Sequence, residues 1–97
     1  MYHGYTSRRC KVDTRKSLAV QRRHGISLEQ AQAIFNQVYV FDRKSDDPEQ
    51  YRAIGWYEGG LSSVIYEMRQ DRQGEYFHLI TAWRATAREE EIYAENY

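Results

Sequence analysis

Residues that favour β-strands are concentrated in three consecutive runs in the second half of the chain. The runs cover residues 51–57, 61–69 and 75–83, and each break between them contains glycine. Runs of β-branched and aromatic residues separated by short glycine-bearing breaks predict an antiparallel meander of three strands. Because apolar residues fall on both faces of these strands, we expect helices from the flanking sequence to cover one side of the sheet.

A first helix is predicted over residues 14–24. Asp13 stands in front of it as an N-cap, whose carboxylate can accept hydrogen bonds from the free amides of the first turn. Gly25 ends the helix, because glycine most readily adopts the left-handed conformation that follows a helix C-terminus. Leu18 and Val20 are its main apolar residues, and the rest of its surface is largely basic, so we expect this helix to be only partly buried.

Two further helices are indicated by capping boxes. Ser27 and Gln30 open a helix predicted over residues 28–37, and a similar box at Thr86–Glu89 opens a C-terminal helix that ends near Glu95. The apolar residues of the second helix recur at helical spacing and form a core-facing stripe, which consists of Leu28, Ala31, Ile34, Phe35 and Val38.

The remaining segments are expected to be short elements and connections. Met1–Arg9 is predicted to be a loose terminus, Cys10–Val12 and Val38–Phe41 short strands, and Asp42–Gln50 a surface loop. The predicted fold class is therefore α+β: a twisted antiparallel sheet with two N-terminal helices and a C-terminal helix, in a single domain over residues 1–97.

Composition excludes several classes of protein. Cys10 is the only cysteine, so no internal disulfide can form, and no cluster of His and Cys has the spacing of a zinc site. We therefore predict no metal and no cofactor. No apolar run reaches the roughly 20 residues needed to cross a bilayer, and no signal peptide is visible. The sequence thus predicts a soluble, cytoplasmic protein with no membrane partner.

Charge is distributed unevenly, although the net charge is zero. Residues 1–24 have a local balance of +6, whereas residues 25–97 have a balance of −6. A basic segment on an acidic domain can still hold phosphate, because screening limits the reach of distant charges to about 10 Å. This asymmetry permits a nucleic-acid partner, and a solvated helix face explains it equally well.

Few residue groups have the chemistry of a site. Arg23 and His24 end the first helix, where they could form a phosphate clamp with an adjacent acid or base, or only a C-terminal cap. Arg84 lies beside the start of the last helix, where a guanidinium and free amides can bind an anion. Alternatively, Arg84 could pair with Glu89, Glu90 or an acid elsewhere. His78, in the middle of a strand, is interpreted first as a packed sheet residue.

Motifs near both ends of the chain resemble those of a known family. They are Asp13, then Lys16-Ser17, then the run 23–31 (RHGISLEQA), the pair Ile54-Gly55, and the closing run 80–86 (ITAWRAT) followed by Glu89 and Tyr93. In order and spacing these motifs resemble the BrnT family, ribonucleases of type II toxin–antitoxin systems with a RelE-like fold. The resemblance covers about residues 10–94.

Because a small chain rich in Tyr and Trp has little core to cover them, a homodimer is one expected form of the protein. The resemblance implies a metal-independent endoribonuclease that cleaves RNA and is neutralised by a cognate antitoxin. It implies four catalytic candidates, His24, Arg84, Arg52 and His78, and four substrate-binding candidates, Lys16, Arg23, Trp83 and Arg88. His24 and Arg84 are expected to converge on one phosphate, although Arg52 could equally pair with Glu67 across the sheet.

The chain also departs from the family pattern at positions that are often basic there. Gln50, His78 and Trp83 occupy three such positions, and Val12 stands where a tryptophan is usual. These departures leave a second interpretation open, a catalytically inactive toxin-like protein that retains only partner binding.

Overall fold

Four long strands form the centre of the fold and continue the meander expected from the sequence. The computed structural model describes residues 2–4 and 9–97. Its strands are β1 (Tyr2–Gly4), β2 (Cys10–Lys11), β3 (Tyr39–Asp46), β4 (Glu49–Tyr57), β5 (Gly60–Asp71) and β6 (Gly74–Arg84). Its helices are α1 (Thr14–His24), α2 (Leu28–Ala31), a 3₁₀ helix (Gln32–Asn36) and α3 (Ala87–Asn96). The three predicted strands of the meander are confirmed as β4, β5 and β6.

The sheet is mixed, and the prediction of a purely antiparallel sheet is wrong. The strand order is β1-β3-β4-β5-β6-β2, and β2 runs parallel to β6. The Phe77 N–H donates to the Arg9 carbonyl oxygen at 2.9 Å, and Arg9 and Lys11 both pair with Asp71, at 2.8 and 2.7 Å. These contacts hold β2 beside β6 across about sixty residues of sequence, so local sequence patterns could not reveal them.

The other edge of the sheet is formed by β1, which pairs antiparallel with β3. Tyr2–Gly4 are therefore not part of a loose terminus, as the sequence suggested. Met1 and residues 5–8 lie outside the residues that the structure describes.

The segment predicted as a surface loop, Asp42–Gln50, is instead mostly strand. β3 continues to Asp46 and β4 begins at Glu49, so only two residues form the turn between them. Charged side chains stabilise this extension across the two strands, because Asp42 stands opposite Arg52 and their side chains form two hydrogen bonds. The composition of the segment is typical of loops, and composition alone does not indicate that its side chains pair across two strands.

The helix α1 has the bounds and caps that the sequence predicts. Asp13 accepts hydrogen bonds from the Arg15 and Lys16 amides at 2.9 and 3.1 Å, and Gly25 adopts a left-handed conformation with φ 77°. A buried serine then joins α1 to α2, since the Leu28 N–H donates to the Ser17 hydroxyl at 2.9 Å.

The second predicted helix begins with the expected capping box, but it is α-helical only over Leu28–Ala31 and continues as a 3₁₀ helix. This tighter segment lies against β4 at a glycine. A Cβ added to Gly55 would come within 3.0 Å of the Ile34 Cβ, which is closer than real Cβ atoms normally approach. The close approach allows Ile34 and Phe35 to be fully buried in consecutive positions.

Helices cover both faces of the sheet and not one. Ala53 belongs to a core that includes Val20 of α1 and Phe35, whereas its neighbour Ile54 packs with Tyr93 of α3. Consecutive strand residues point to opposite faces, so α1 and the 3₁₀ helix lie on one face and α3 on the other. In the described part of the chain, no helix is both long enough and apolar enough to cross a membrane.

Replacing Phe35 by Ala should lower the free energy of unfolding by about 3–5 kcal/mol, because the change removes a large buried side chain and leaves a cavity. The Phe35 ring is fully buried and makes edge-on contacts with Tyr39, Tyr66 and Phe77 at centroid distances of 5.0–5.2 Å. Urea unfolding followed by circular dichroism measures the loss. Leu18→Ala is the matched control, since Leu18 is 52% exposed, and its effect should stay within about 0.5 kcal/mol. Equal losses for the two variants would contradict this description of the core.

Candidate functional site

A pocket of about 220 Å³ lies between α1 and β6. Its lining combines one side of α1 with two residues of β6: Lys16, Ala19, Val20, Arg23, His24, Ile80 and Thr81. The α1 residues recur at spacings of three, four, seven and eight, so they share one side of the helix. The pocket therefore brings two cations and an imidazole together on a surface with an apolar floor.

Trp83 extends this surface beyond the pocket. Its ring lies 6.1 Å from the His24 ring, centroid to centroid, at an interplanar angle of 54°. The structure thus brings together four of the predicted residues, Lys16, Arg23, His24 and Trp83. An aromatic ring beside cations is the combination on which nucleic-acid bases stack while phosphates are held.

A buried carboxylate holds the Trp83 indole in place. Glu89 Oε1 accepts hydrogen bonds from Trp83 Nε1 and from the Thr86 N–H, both at 2.9 Å. Its Oε2 lies 3.5 Å from Arg52 Nη1. Burial raises the pKa of Glu89, but the Thr86 and Trp83 hydrogen bonds, the nearby Ser63 hydroxyl and the Arg52 charge outweigh it and lower the pKa overall.

The Arg52 guanidinium is already paired with two carboxylates. Its Nε and Nη2 donate to the two carboxylate oxygens of Asp42 at 3.1 and 2.6 Å, and Nη1 faces Glu89. Only 11% of its side chain is exposed. The expected alternative partner, Glu67, is instead bound by Gln50 and Arg69. Arg52 therefore joins β3, β4 and α3 through its guanidinium, and a phosphate would have to compete with two carboxylates for it.

The side chains of Arg84 and Arg88 are not directed towards His24 and Trp83. Arg84 stands opposite Ser62 and Trp83 opposite Ser63 in the β5–β6 ladder, so the two side chains project to opposite faces of the sheet. The Arg84 guanidinium donates to the Tyr57 carbonyl oxygen at 2.8 Å and lies over the Tyr57 ring. It is thus directed away from the Trp83 ring that His24 contacts. Arg88 lies on the outer side of α3, 3.2 Å from Glu91.

His78 lies on β6 near the Lys16 end of the pocket. Burial and the positive charges of Arg69 and Lys16 lower its pKa, and the charge of Glu67, which stands opposite it on β5, acts in the other direction. Burial and the neighbouring cations therefore favour the neutral imidazole, which is the form that can accept a proton.

Sequence reasoning missed the role of two carboxylates. Glu89 was interpreted as part of a capping box, as a motif residue and as a possible partner of Arg84, and Glu67 as a cross-strand partner of Arg52. The capping box was the available signal for Glu89, because it fixes that carboxylate at the helix N-terminus beside Trp83. Among the described residues, no three His, Cys, Asp or Glu side chains are grouped so that they could hold a metal ion.

Comparison with known families identifies the chain as similar to a family of toxins. The family model described as "Ribonuclease toxin, BrnT, of type II toxin-antitoxin system" matches residues 13–89. No curated protein matches the chain. The matched segment contains all of α1, the whole pocket lining, Trp83 and Glu89.

The pKa of His78 should lie below the usual histidine value of about 6.5 and should respond to its neighbours with opposite signs. Lys16→Met removes a positive charge and should raise the pKa, whereas Glu67→Gln removes a negative charge and should lower it further. Titration of the imidazole resonances by NMR measures both shifts. A His78 pKa that does not move in either variant would show that its side chain does not face these charges.

Proposed function

Since this chain belongs to the BrnT family of ribonuclease toxins of type II toxin–antitoxin systems, we propose that it is an endoribonuclease that acts at the pocket between α1 and β6. The observation that carries the proposal is the grouping of Lys16, Arg23 and His24 in one pocket, with the Trp83 ring beside His24. This grouping offers phosphate binding, proton transfer and base stacking within one surface.

The proposed reaction is attack of a ribose 2′-oxygen on the adjacent phosphorus. A base removes the 2′-hydroxyl proton, the bond from phosphorus to the 5′-oxygen breaks, and an acid protonates that leaving oxygen. The products are a strand ending in a 2′,3′-cyclic phosphate and a strand with a free 5′-hydroxyl. Every proton in this sequence is taken up or supplied by a side chain, so we propose that the reaction needs no metal ion.

We assign proton transfer in the pocket to His24, and we propose that His78, which lies outside the pocket lining, is a second candidate acid or base. The lowered pKa of His78 suits a group that must accept a proton at neutral pH. Lys16 and Arg23 bind the phosphoryl oxygens and stabilise the charge that develops on them. Neither cation forms an ion pair with another described residue, whereas Arg52 faces two carboxylates.

The charge distribution supports RNA as the substrate. The exposed side of α1 carries Arg15, Lys16, Arg22 and Arg23, and these cations can follow a phosphate backbone on either side of the pocket. We also propose, as the family resemblance implies, that the fold is RelE-like.

Replacing His24 by Ala should reduce RNA cleavage by about a hundredfold or more, the usual scale for loss of an acid or base. The thermal midpoint should change little, because His24 lies at a helix end and is only half-buried. Gel analysis of a single-stranded RNA gives the rate, and excess EDTA should not reduce it.

Arg84→Ala is the matched control for this prediction, since its guanidinium is directed to Tyr57, and we expect cleavage within a few fold of wild type. Abolition of cleavage by EDTA would contradict the metal-free reaction. A wild-type chain that binds its antitoxin but cleaves no RNA would support the inactive toxin-like protein.

We further propose that the cognate antitoxin docks on an aromatic and acidic surface formed by α3 and β4. Trp56 and Tyr97 are 47% and 67% exposed, and both contact the Tyr93 ring, at 6.4 and 5.0 Å. Glu90 lies on the same side of α3, three residues before Tyr93 and seven before Tyr97. The complementary partner is a segment of the antitoxin that carries apolar side chains and Lys or Arg.

Trp56→Ser and Tyr97→Ser should each weaken binding of the purified cognate antitoxin by about tenfold or more, because exposed aromatic residues that contact one another often dominate an interface. Glu90→Lys should weaken it through charge repulsion. Leu18→Ser and Met68→Ser are matched controls, since both residues are exposed and apolar but lie elsewhere. Calorimetry measures each affinity.

Unchanged affinity in the aromatic variants would contradict this docking surface. If sedimentation instead shows that the aromatic variants dissociate a wild-type dimer, a second copy of the chain occupies the surface and the antitoxin assignment is wrong.

A further inference from the structure

Glu89 is a buried carboxylate that connects three elements near the proposed site. It belongs to α3, its Oε1 accepts from the Trp83 indole of β6, and its Oε2 faces the Arg52 guanidinium of β4. Only 5% of the residue is exposed. A helix cap alone requires neither the indole contact nor the guanidinium, because the Thr86 N–H and hydroxyl already complete the capping box.

We propose that Glu89 is a positioning residue that fixes the Trp83 ring beside His24, so that the ring stacks on a base of the bound RNA. This inference rests on the proposed ribonuclease function and deepens it, because it assigns Trp83 to substrate recognition and Glu89 to the orientation of Trp83. Glu89 itself does not touch the substrate.

The geometry of the contact supports a positioning role. An indole has a single polar hydrogen, and a hydrogen bond from it fixes the ring's direction about its side-chain torsions. The bond is 2.9 Å long and is made to a carboxylate, and charge-assisted hydrogen bonds of this kind are stronger than neutral ones. The Thr86 and Trp83 hydrogen bonds, with a smaller contribution from the Arg52 charge, lower the pKa of Glu89 and favour its ionised form, and Arg52 is itself held by Asp42.

The test compares binding of single-stranded 2′-O-methyl RNA, which lacks the attacking hydroxyl and is therefore not cleaved. Every chain carries Trp56→Phe, so that Trp83, where it is kept, is the only tryptophan and quenching of its fluorescence reports stacking directly. A fluorescent label on the RNA measures affinity in every chain, including those with Trp83→Phe. Glu89→Ala should weaken binding about fivefold or more, the lower limit expected when one base loses its stacking partner. It should also reduce the quenching at saturation.

Two controls separate positioning from general damage to α3. Thr86→Ala removes the other half of the capping box but leaves the indole contact, so RNA affinity and quenching should stay near wild type. Glu89→Gln keeps an acceptor oxygen for the indole and should restore most of the affinity. If Glu89→Ala does not fold, the test uses Glu89→Gln and Trp83→Phe instead. Trp83→Phe has no indole N–H, so it should bind the RNA more weakly than Glu89→Gln does.

The final comparison is a double-mutant cycle. In a chain with Trp83→Phe, Glu89→Ala should cause no further loss of RNA affinity, because the contact through which it acts is already absent. Equal losses with and without Trp83, or equal losses for Glu89→Ala and Thr86→Ala, would overturn the inference. A wild-type chain that neither cleaves RNA nor binds the 2′-O-methyl strand gives a different result, which overturns the proposed function and this inference with it.

Discussion

The aromatic contacts of Phe35 are the constraint on which the position of every helix on one face of the sheet depends. The ring contacts side chains of β3, β5 and β6 at once, so the 3₁₀ helix has one position in which all three contacts form. Ser17 then connects α2 to α1 through a buried hydrogen bond. The position of the pocket between α1 and β6 therefore depends on a core residue that does not itself line the pocket.

The positive and negative charges of the chain are concentrated on different helices. The chain has no net charge, yet α1 presents its cations beside the pocket, and α3 presents Glu90, Glu91 and Glu95 on the opposite side of the sheet. Because screening limits electrostatic interactions to about 10 Å, each surface acts on its own partner. One small protein can thus offer a basic surface to RNA and an acidic surface to a basic protein segment.

Much of the fold could be predicted because its signals are local. The caps at Asp13, Gly25 and Thr86 are read from neighbouring residues, and the alternation in β4–β6 needs no knowledge of the partner strands. Predictions failed where distant residues decide the structure. Asp71 fixes β2, and Arg52 draws a charged segment into β3. The tight contact at Gly55 accompanies the change from α-helix to 3₁₀ helix.

The distinction between local signals and distant contacts also explains which predicted site residues the structure brings together. The sequence identifies cations, but whether a cation can bind phosphate depends on the carboxylates that already surround it. Arg52 has two such carboxylates and little exposure, so binding a phosphate there would require breaking a buried, charge-assisted pair. Lys16 and Arg23 lie at the pocket surface, where the displaced partner is water. A phosphate could therefore bind to the residues on α1 at a lower cost, whereas the Arg52 charge is one of the contacts that lower the pKa of Glu89 beside Trp83.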